Sequence, residues 1–515
     1  MAQISVNDLT FSYEGSFDNV FEHTTFSIDT NWKLGFVGRN GKGKTTFLRL
    51  LLGQYEYAGT ILASTHFDYF PYVISKEDLA RTADELMEGW KPGVEQWRVL
   101  CELPELGIES ELLYRPFGTL SFGERTKVML AVLFSGENEF LLVDEPTNHL
   151  DRQARESIKA YLSKKKGFIL VSHDRDVLDA CIDHVLVLNR ATIDVQNGNF
   201  SSWWENKQKA DANAEAMNEK HAKEIDKLKS AADRINGWAT KSESTKIGFD
   251  PIKEHDRSAG TRTFISSKSA KMQKRVKSLE TRISREIEEK EGLLNDIEEV
   301  VDLKLMPLTY HKKRLISGRD FALRYKDADN RAFAGISFEI CVGDRLVIDG
   351  GNGCGKSSLI RAILDRNQNV SEEKTAYVTE GVLEVPSNLI ISYINQDTSG
   401  LRGMLKEYSE SLGVDYTLLL SLLRQLDFER VQFTKPMEQY SEGQKKKVLI
   451  AASLLTPAHL YIWDEPLNYI DVFTRMQIEK LIETYQPTML LVEHDERFKK
   501  QVATKVISPE QDNGR

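Results

Sequence analysis

The 515 residues predict an α/β protein made of two tandem copies of one domain, joined by a long antiparallel helical hairpin. Three observations carry that expectation. A set of motifs returns at a fixed offset, short apolar runs of buried-strand length alternate with helical stretches, and one segment of different composition separates the two copies.

The repeat is explicit. Residues 38–45 read GRNGKGKT and residues 350–357 read GGNGCGKS, an offset of 312 that also carries Tyr13 onto Tyr325 and Phe26 onto Phe338. Further along, Ser121 maps to Ser441, Asp144 to Asp464 and Asp151 to Asp471, each at an offset of 320. A shift of eight residues between the two blocks is the mark of a duplicated domain with one small insertion. Within a copy, runs such as 34–37, 141–144 and 168–171 have the make-up of strands buried on both faces, and 46–52 reads as a helix. That alternation predicts a largely parallel sheet in each half.

The segment between the copies follows a different period. Ile225, Leu228, Ala232 and Ile235 are spaced as one helical face, and Met272, Val276, Leu279, Ile283, Ile287, Leu294 and Ile297 continue the seam in a second helix. Gly237, Gly248, Pro251 and Gly260 lie between them and break helices. The expected organisation is a first domain over 1–203, a helical linker over 204–305 with a tip loop near 236–264, and a second domain over 306–515.

Composition narrows the class. Hydrophobic residues make up 41% and charged residues 28%, as in a globular chain. The apolar runs fall well short of the ~20 residues a membrane helix needs. The opening MAQISVNDLT has neither the basic start nor the apolar stretch of a secretory signal, so a cytoplasmic protein with no membrane segment is expected. Cys101, Cys181, Cys341 and Cys354 show no metal-ligand spacing and read as ordinary thiols. A net charge of -10 argues against a generally nucleic-acid-binding surface, yet 257–285 holds nine basic residues against one acid, Glu280.

Both glycine-rich segments match GxxxxGK[ST] after an apolar strand, the Walker A pattern. Its glycines let backbone N–H groups curl around phosphate oxygens, Lys44 or Lys356 neutralises them, and Thr45 or Ser357 offers a hydroxyl to Mg²⁺. In LLVDEP and YIWDEP, Asp144 and Asp464 end buried strands where a carboxylate can hold Mg²⁺, and Glu145 and Glu465 stand where a base can polarise the attacking water. His173 and His494 each follow another strand, where a neutral imidazole reaches a γ-phosphate or serves a structural purpose.

LSFGE at 120–124 and YSEGQ at 440–444 resemble the signature sequence of ABC-type ATPases, so each copy is similar to an ABC nucleotide-binding domain. The resemblance implies ATP hydrolysis with ATP and Mg²⁺, and two composite sites in which the signature of one half closes over nucleotide held by the other. One would combine Gly38, Asn40, Gly41, Gly43, Lys44, Thr45, Thr46, Asp144, Glu145 and His173 with Ser441, Gly443 and Gln444. The other would combine Gly350, Asn352, Gly353, Gly355, Lys356, Ser357, Ser358, Asp464, Glu465 and His494 with Ser121, Gly123 and Glu124. Tyr13 and Tyr325 stand either against adenine or in the core. Gln396 looks like the glutamine that senses Mg²⁺ and γ-phosphate, whereas the first half has Tyr72 at that place, so the two sites are expected to be unequal. Phe122 replaces the usual small residue of the signature and leaves Ser121 and Gly123 in place.

Two such domains, no membrane segment and a charged helical linker are together similar to the ABC-F family, which acts on ribosomes. The offset of 48 from Tyr72 to the first signature leaves little room for the extra helical arm of housekeeping factors, and little chain follows His494. These features resemble the antibiotic-resistance branch that protects ribosomes from lincosamides, pleuromutilins and streptogramin A. The resemblance implies the 70S ribosome, ribosomal RNA and tRNA as partners at the tRNA exit site. The protein itself would be a monomer closed by an intramolecular sandwich. The basic run and the tip residues Trp238, Ile247, Phe249, Phe264 and Ile265 would meet RNA, or else form a solvated face and close the hairpin. A housekeeping ABC-F translation factor and the ATPase subunit of a transporter are the alternatives.

Overall fold

The computed structural model describes all residues except 1–2, 15–18, 149, 190–191, 248–270, 272–273, 275, 280, 284, 286–304, 327–330, 352, 371–374, 427 and 510–515, and the side chains of 215, 235–247 and 334. The chain divides into one compact unit of Met1–Trp203 with Val300–Arg515, and a second of Trp204–Glu299.

Both halves of the first unit repeat one plan. In the first, a six-stranded sheet has the order His66–Phe70, Glu139–Asp144, Phe168–Val171, Lys33–Val37, His184–Leu188, Ile193–Asn197, parallel except for its last pair. In the second, five parallel strands run Ile391–Ile394, Leu460–Asp464, Met489–Val492, Arg345–Ile348, Lys505–Ile507. The central parallel strands are covered on both faces, which is why they read as unbroken apolar runs, whereas the edge strands His66–Phe70 and Lys505–Ile507 are only partly buried. Phe168, Ile169 and Leu170 are fully buried, as are Leu490, Leu491 and Val492.

Beside each main sheet lies an antiparallel three-stranded sheet that the sequence reading did not foresee. Its order is Phe21–Asp29, Gln3–Phe11, Ala58–Leu62 in the first half and Phe333–Cys341, Arg314–Tyr325, Tyr377–Glu384 in the second. The inner face of the first packs Ile4, Val6 and Phe21 against Phe47 of the helix that follows the glycine-rich turn. Burial of those side chains fixes where that helix starts.

In the second unit one helix runs over Phe200–Ile247 from the end of the first, which corrects the expected start of the tip loop at 236. Gly237 does not stop it, because a single interior glycine costs about 1 kcal/mol and Ala232, Ala239, Lys241 and Glu243 around it are acceptable or good helix formers. The remainder of the expected loop, through 264, lies outside the described residues. Ile225 and Ile283 are buried, as the seam requires, and Leu228, Ala232 and Val276 are half-buried, but Leu279, expected on the same seam, is exposed, as are Lys271, Lys274, Lys277, Arg282 and Arg285.

Candidate active sites

Each site begins where a buried strand ends. Lys33–Val37 and Arg345–Ile348 run into glycine-rich turns and then into the helices Lys44–Leu51 and Lys356–Asn367. Gly43 and Gly355, which cap these helices, have φ of 109° and 87°. A Cβ on Gly43 would lie 2.5 Å from Val20 Cγ1, and one on Gly355 would lie 2.6 Å from Phe333 Cδ1. Only glycine meets both demands. The turns therefore deliver helix N–H groups to a concave face, a ready cradle for phosphate oxygens.

Lys44 Nζ donates to the carbonyls of Gly38 at 2.5 Å and Arg39 at 3.1 Å, and Lys356 Nζ to those of Gly350 at 2.9 Å and Gly351 at 2.8 Å. Burial pulls the Lys44 pKa below its ordinary value, against the opposing effect of Asp471, Glu145 and Asp144. Thr45 Oγ1 donates to Asp144 Oδ2 at 3.0 Å, and Ser357 Oγ to Asp464 Oδ2 at 3.1 Å. Hydroxyl and carboxylate thus share one point in each half, the arrangement that holds Mg²⁺. Asp464 Oδ1 and Glu145 Oε1 are buried without a hydrogen-bond partner, so the residues present fit a cation and its water.

Glu145 and Glu465 both adopt left-handed backbone, with φ of 51° and 48°. Outside glycine such conformations cost of order 1 kcal/mol or more and gather at functional positions. Their N–H groups donate to the carbonyls of Val171 at 2.9 Å and Val492 at 3.0 Å, which hold the strained residues to the neighbouring strand. His173 Nε2 lies 3.2 Å from Glu145 Oε1 but out of line for a hydrogen bond, and His494 Nε2 lies 3.4 Å from Glu465 Oε1.

The carboxyls differ electrostatically. Burial, reinforced by Asp144, pushes Glu145 up to about 8, with Lys44 and Arg475 opposing. For Glu465 burial acts in the same sense but is outweighed by the neighbouring His494, by Lys356 and by Asn468, and its pKa falls below the ordinary value. Burial drives the His173 pKa well below its ordinary value, helped by Lys44 and Arg475, so this imidazole is neutral.

The second inequality lies in the strands facing these carboxylates. Strand register pairs Phe70 with Val143 and Ile394 with Trp463, which makes Tyr72 the positional counterpart of Gln396. Gln396 Nε2 donates to Glu465 Oε2 at 2.8 Å. Tyr72 instead turns its hydroxyl to Asp68 Oδ2 at 2.8 Å and stacks its ring on Trp90. A different residue serves the first site: Tyr69 Oη donates to Asp144 Oδ2 at 3.1 Å. The sequence reading missed it, and only the period-2 alternation from Phe67 to Tyr69 could have pointed to it.

Tyr13 Oη lies 2.6 Å from Thr46 Oγ1, and Tyr325 Oη lies 2.8 Å from Ser358 Oγ. Each tyrosine lines a cavity, of about 330 Å³ in the first half and about 520 Å³ in the second. Gly41 and Gly353 line the same cavities, while Asn352 lies outside the described residues.

The signature serines cap helices that run 13 and 14 residues. Ser121 Oγ accepts from the Glu124 N–H and Glu124 Oε2 accepts from the Ser121 N–H; Ser441 and Gln444 repeat the arrangement. Glu124 and Gln444 thus orient the serines, whose own protons remain to be donated to an anion. The halves meet here. Asn40 Nδ2 donates to the Tyr469 carbonyl at 2.6 Å, and a Cβ on Gly443 would lie 2.7 Å from that oxygen and 3.6 Å from Asn40 Nδ2. The second signature therefore abuts the first glycine-rich turn. On the opposite side Gly123 packs against Leu150, which lines the second cavity with Arg155.

Of the tip residues, the side chains of Trp238 and Ile247 are not among those described, and Phe249, Phe264 and Ile265 lie outside the described residues. Among the described residues no helix is long and apolar enough to cross a membrane.

The family model described as ABC transporter matches residues 21–148 and 333–468, and a second with the same description matches 186–247. The "Ribosome protection protein VmlR" of Bacillus subtilis strain 168 is 28% identical over 95% of this chain and 83% of its own. The "ABC transporter F family member 2" of Arabidopsis thaliana is 23% identical over 98% of this chain and 76% of its own. Among solved structures, an archaeal ribosome recycling factor aABCE1, in complex with the stalk protein aP1, superposes with a TM-score of 0.59 at 19% identity, over 97% of this chain and 87% of that one. At that identity the likeness is one of fold.

Proposed function

Because this chain belongs to the ABC transporter family of ATPases, in its ABC-F group, we propose that its ATP-driven closure serves ribosome binding and protects the peptidyl-transferase centre from antibiotics. The protein is a Mg²⁺-dependent ATPase. The observation that carries the switch is the contact of Asn40 with Tyr469 and Gly443, because it joins the phosphate turn of one half to the signature of the other. Nucleotide placed there bears on both halves at once, so its affinity includes the free energy of closure.

The ribosomal part is supported by the similarity to a protein named for ribosome protection and by the basic run at 257–285. Cations in that segment would meet ribosomal RNA or tRNA phosphates, with affinity that falls as salt rises. The monomeric, cytoplasmic protein would act at the tRNA exit site in its ATP-bound form, and hydrolysis would release it. Glu145→Gln with Glu465→Gln retains the binding groups and removes the bases. It should co-sediment with 70S particles in ATP and not in ADP, and expression of the wild type should raise the tolerance of a susceptible bacterium to lincosamides, pleuromutilins or streptogramin A. Free dissociation of the double variant in ATP would count against the switch. Unchanged drug tolerance beside ATP-dependent ribosome binding would favour a housekeeping factor.

A further inference from the structure

Arg155 and Arg475 occupy matching positions, four residues after Asp151 and Asp471, yet they are used differently. Arg475 is satisfied inside its own half. Its Nε donates to the Ile470 carbonyl at 2.9 Å, its Nη2 to the Leu467 carbonyl at 2.9 Å, and its Nη1 pairs with Asp495 Oδ2 at 3.1 Å. Arg155 crosses to the other half. Its Nη1 donates to the His494 carbonyl at 2.9 Å while pairing with Asp174 Oδ2 at 3.2 Å, and its Nη2 makes a long contact of 3.5 Å to the Leu150 carbonyl. Its Nε is buried with no hydrogen-bond partner. The guanidinium lines the second cavity together with Lys356, Gln396, Glu465 and His494.

We propose that Arg155 is a trans-acting positioning residue for the second ATP site, and that it makes turnover there conditional on contact between the halves. This rests on the ATPase reading. His494 sits at the end of Met489–Val492, and its imidazole lies 3.4 Å from the Glu465 carboxylate. The Arg155 hydrogen bond grips the backbone of that same histidine. A charged donor on a carbonyl is among the stronger hydrogen bonds, so separating the halves releases a contact from the first half that, among the described residues, grips the backbone of the His494 loop, beside the side-chain pair of Arg152 with Glu496. Arg155 also holds Asp174, the residue after His173, so this guanidinium joins the two histidine loops. Among the described contacts Arg475 grips no loop of the first site, because its donors are spent on Ile470, Leu467 and Asp495, and it reaches Glu145 and His173 through its charge alone.

The test separates the two sites. Glu145→Gln leaves turnover to the second site and Glu465→Gln leaves it to the first, and Arg155→Gln and Arg155→Lys are placed in each. Arg155→Gln should lower kcat in the Glu145→Gln protein at least ten-fold with KM changed less than three-fold, and this loss should exceed that in the Glu465→Gln protein at least five-fold. Arg155→Lys, which keeps a cationic donor, should recover part of kcat. Equal losses in both backgrounds, a loss confined to KM, or no recovery by lysine in protein that melts like its parent would overturn the assignment. If both Glu→Gln parents hydrolyse ATP at the wild-type rate, it is the ATPase site reading that fails instead.

Discussion

Gln396 donates from Nε2 to Oε2 of Glu465 across 2.8 Å, while the first half turns Tyr72, its counterpart, away to Asp68. The two candidate bases consequently work in different fields. Glu145 is pushed up to about 8 by burial and by Asp144, and Glu465 is held below its ordinary value by His494, Lys356 and Asn468. A base acts only when ionised, so a raised pKa withholds activity below that pKa and restores it as pH rises. Turnover of the Glu465→Gln protein, which reports the first site, should rise with pH between 6 and 9, with Mg²⁺ on Asp144 removing part of that carboxylate's repulsion and so lowering the midpoint. Turnover of the Glu145→Gln protein should be flat from pH 6 to 9. Measurement of kcat over that range decides it, and superimposable profiles would refute the assignment.

Arg175 and Glu479 form a bidentate ion pair between the halves, with both side chains at most 5% exposed. Burial pushes the Glu479 carboxyl up more than Arg175 holds it down, so the pair is costly to bury and costlier to break. Removing one partner strands the other charge, at about 3–5 kcal/mol, whereas replacing both with apolar groups is close to neutral. Glu479→Leu should therefore lower stability by about 3 kcal/mol or more, and Arg175→Met with Glu479→Leu should regain most of it. Denaturant unfolding of the two singles and the double measures the coupling. Additive losses would show that the pair contributes nothing jointly.

Glycine at the helix caps makes a sharper prediction about binding than about folding. Alanine at Gly43 would place its Cβ 2.5 Å from Val20 Cγ1 at φ 109°. To relieve the overlap the turn must shift, which moves the N–H groups off the phosphate position. Gly43→Ala should weaken ATP binding at the first site at least ten-fold, read by nucleotide titration in the Lys356→Ala protein, where the second site is disabled. Affinity within two-fold of the parent would show that the turn tolerates a side chain.

How far the sequence spoke depended on the range of the chemistry involved. The glycine-rich turns and the carboxylates after strands were legible because each needs fixed residue types at fixed short spacing, as in Lys44 and Thr45, while the signature serines entered by resemblance and their capping by Glu124 and Gln444 only through the structure. The small antiparallel sheets were not. Ile4, Val6 and Leu9 lie on the buried face of Gln3–Phe11, but a register shift between Val6 and Leu9, with Asp8 at φ 52°, breaks the alternation that marks a strand. Tyr69 and Arg155 escaped notice for a related reason. Tyr69 acts through a partner 75 residues away and Arg155 through one 339 residues away, and only the folded chain brings them together. Gly237 misled in the opposite direction, since its flanking helix formers outvote it.

Asp471 carries the last prediction. It caps the helix Val472–Tyr485, accepting from the Thr474 N–H at 2.9 Å and from Thr474 Oγ1 at 3.0 Å, and it pairs with Lys447 Nζ at 3.3 Å, wholly buried. Burial alone would raise its pKa, but Lys447, the Thr474 N–H and Lys44 outweigh it, and the carboxyl lies far below the usual range. A carboxyl depressed in the folded state contributes stability that is fully present above its unfolded pKa of about 3.9 and is lost as pH falls from there toward the folded value. The wild type should thus lose melting temperature steeply below about pH 4. Asn at this position still caps the helix but leaves Lys447 without its counter-charge. Asp471→Asn should cost about 3 kcal/mol at pH 7, and the gap to wild type should narrow as pH drops below 4. Thermal melts from pH 7 to pH 3 read both quantities, and a gap that stays constant with pH would show that the cap, and not the charge, is what Asp471 supplies.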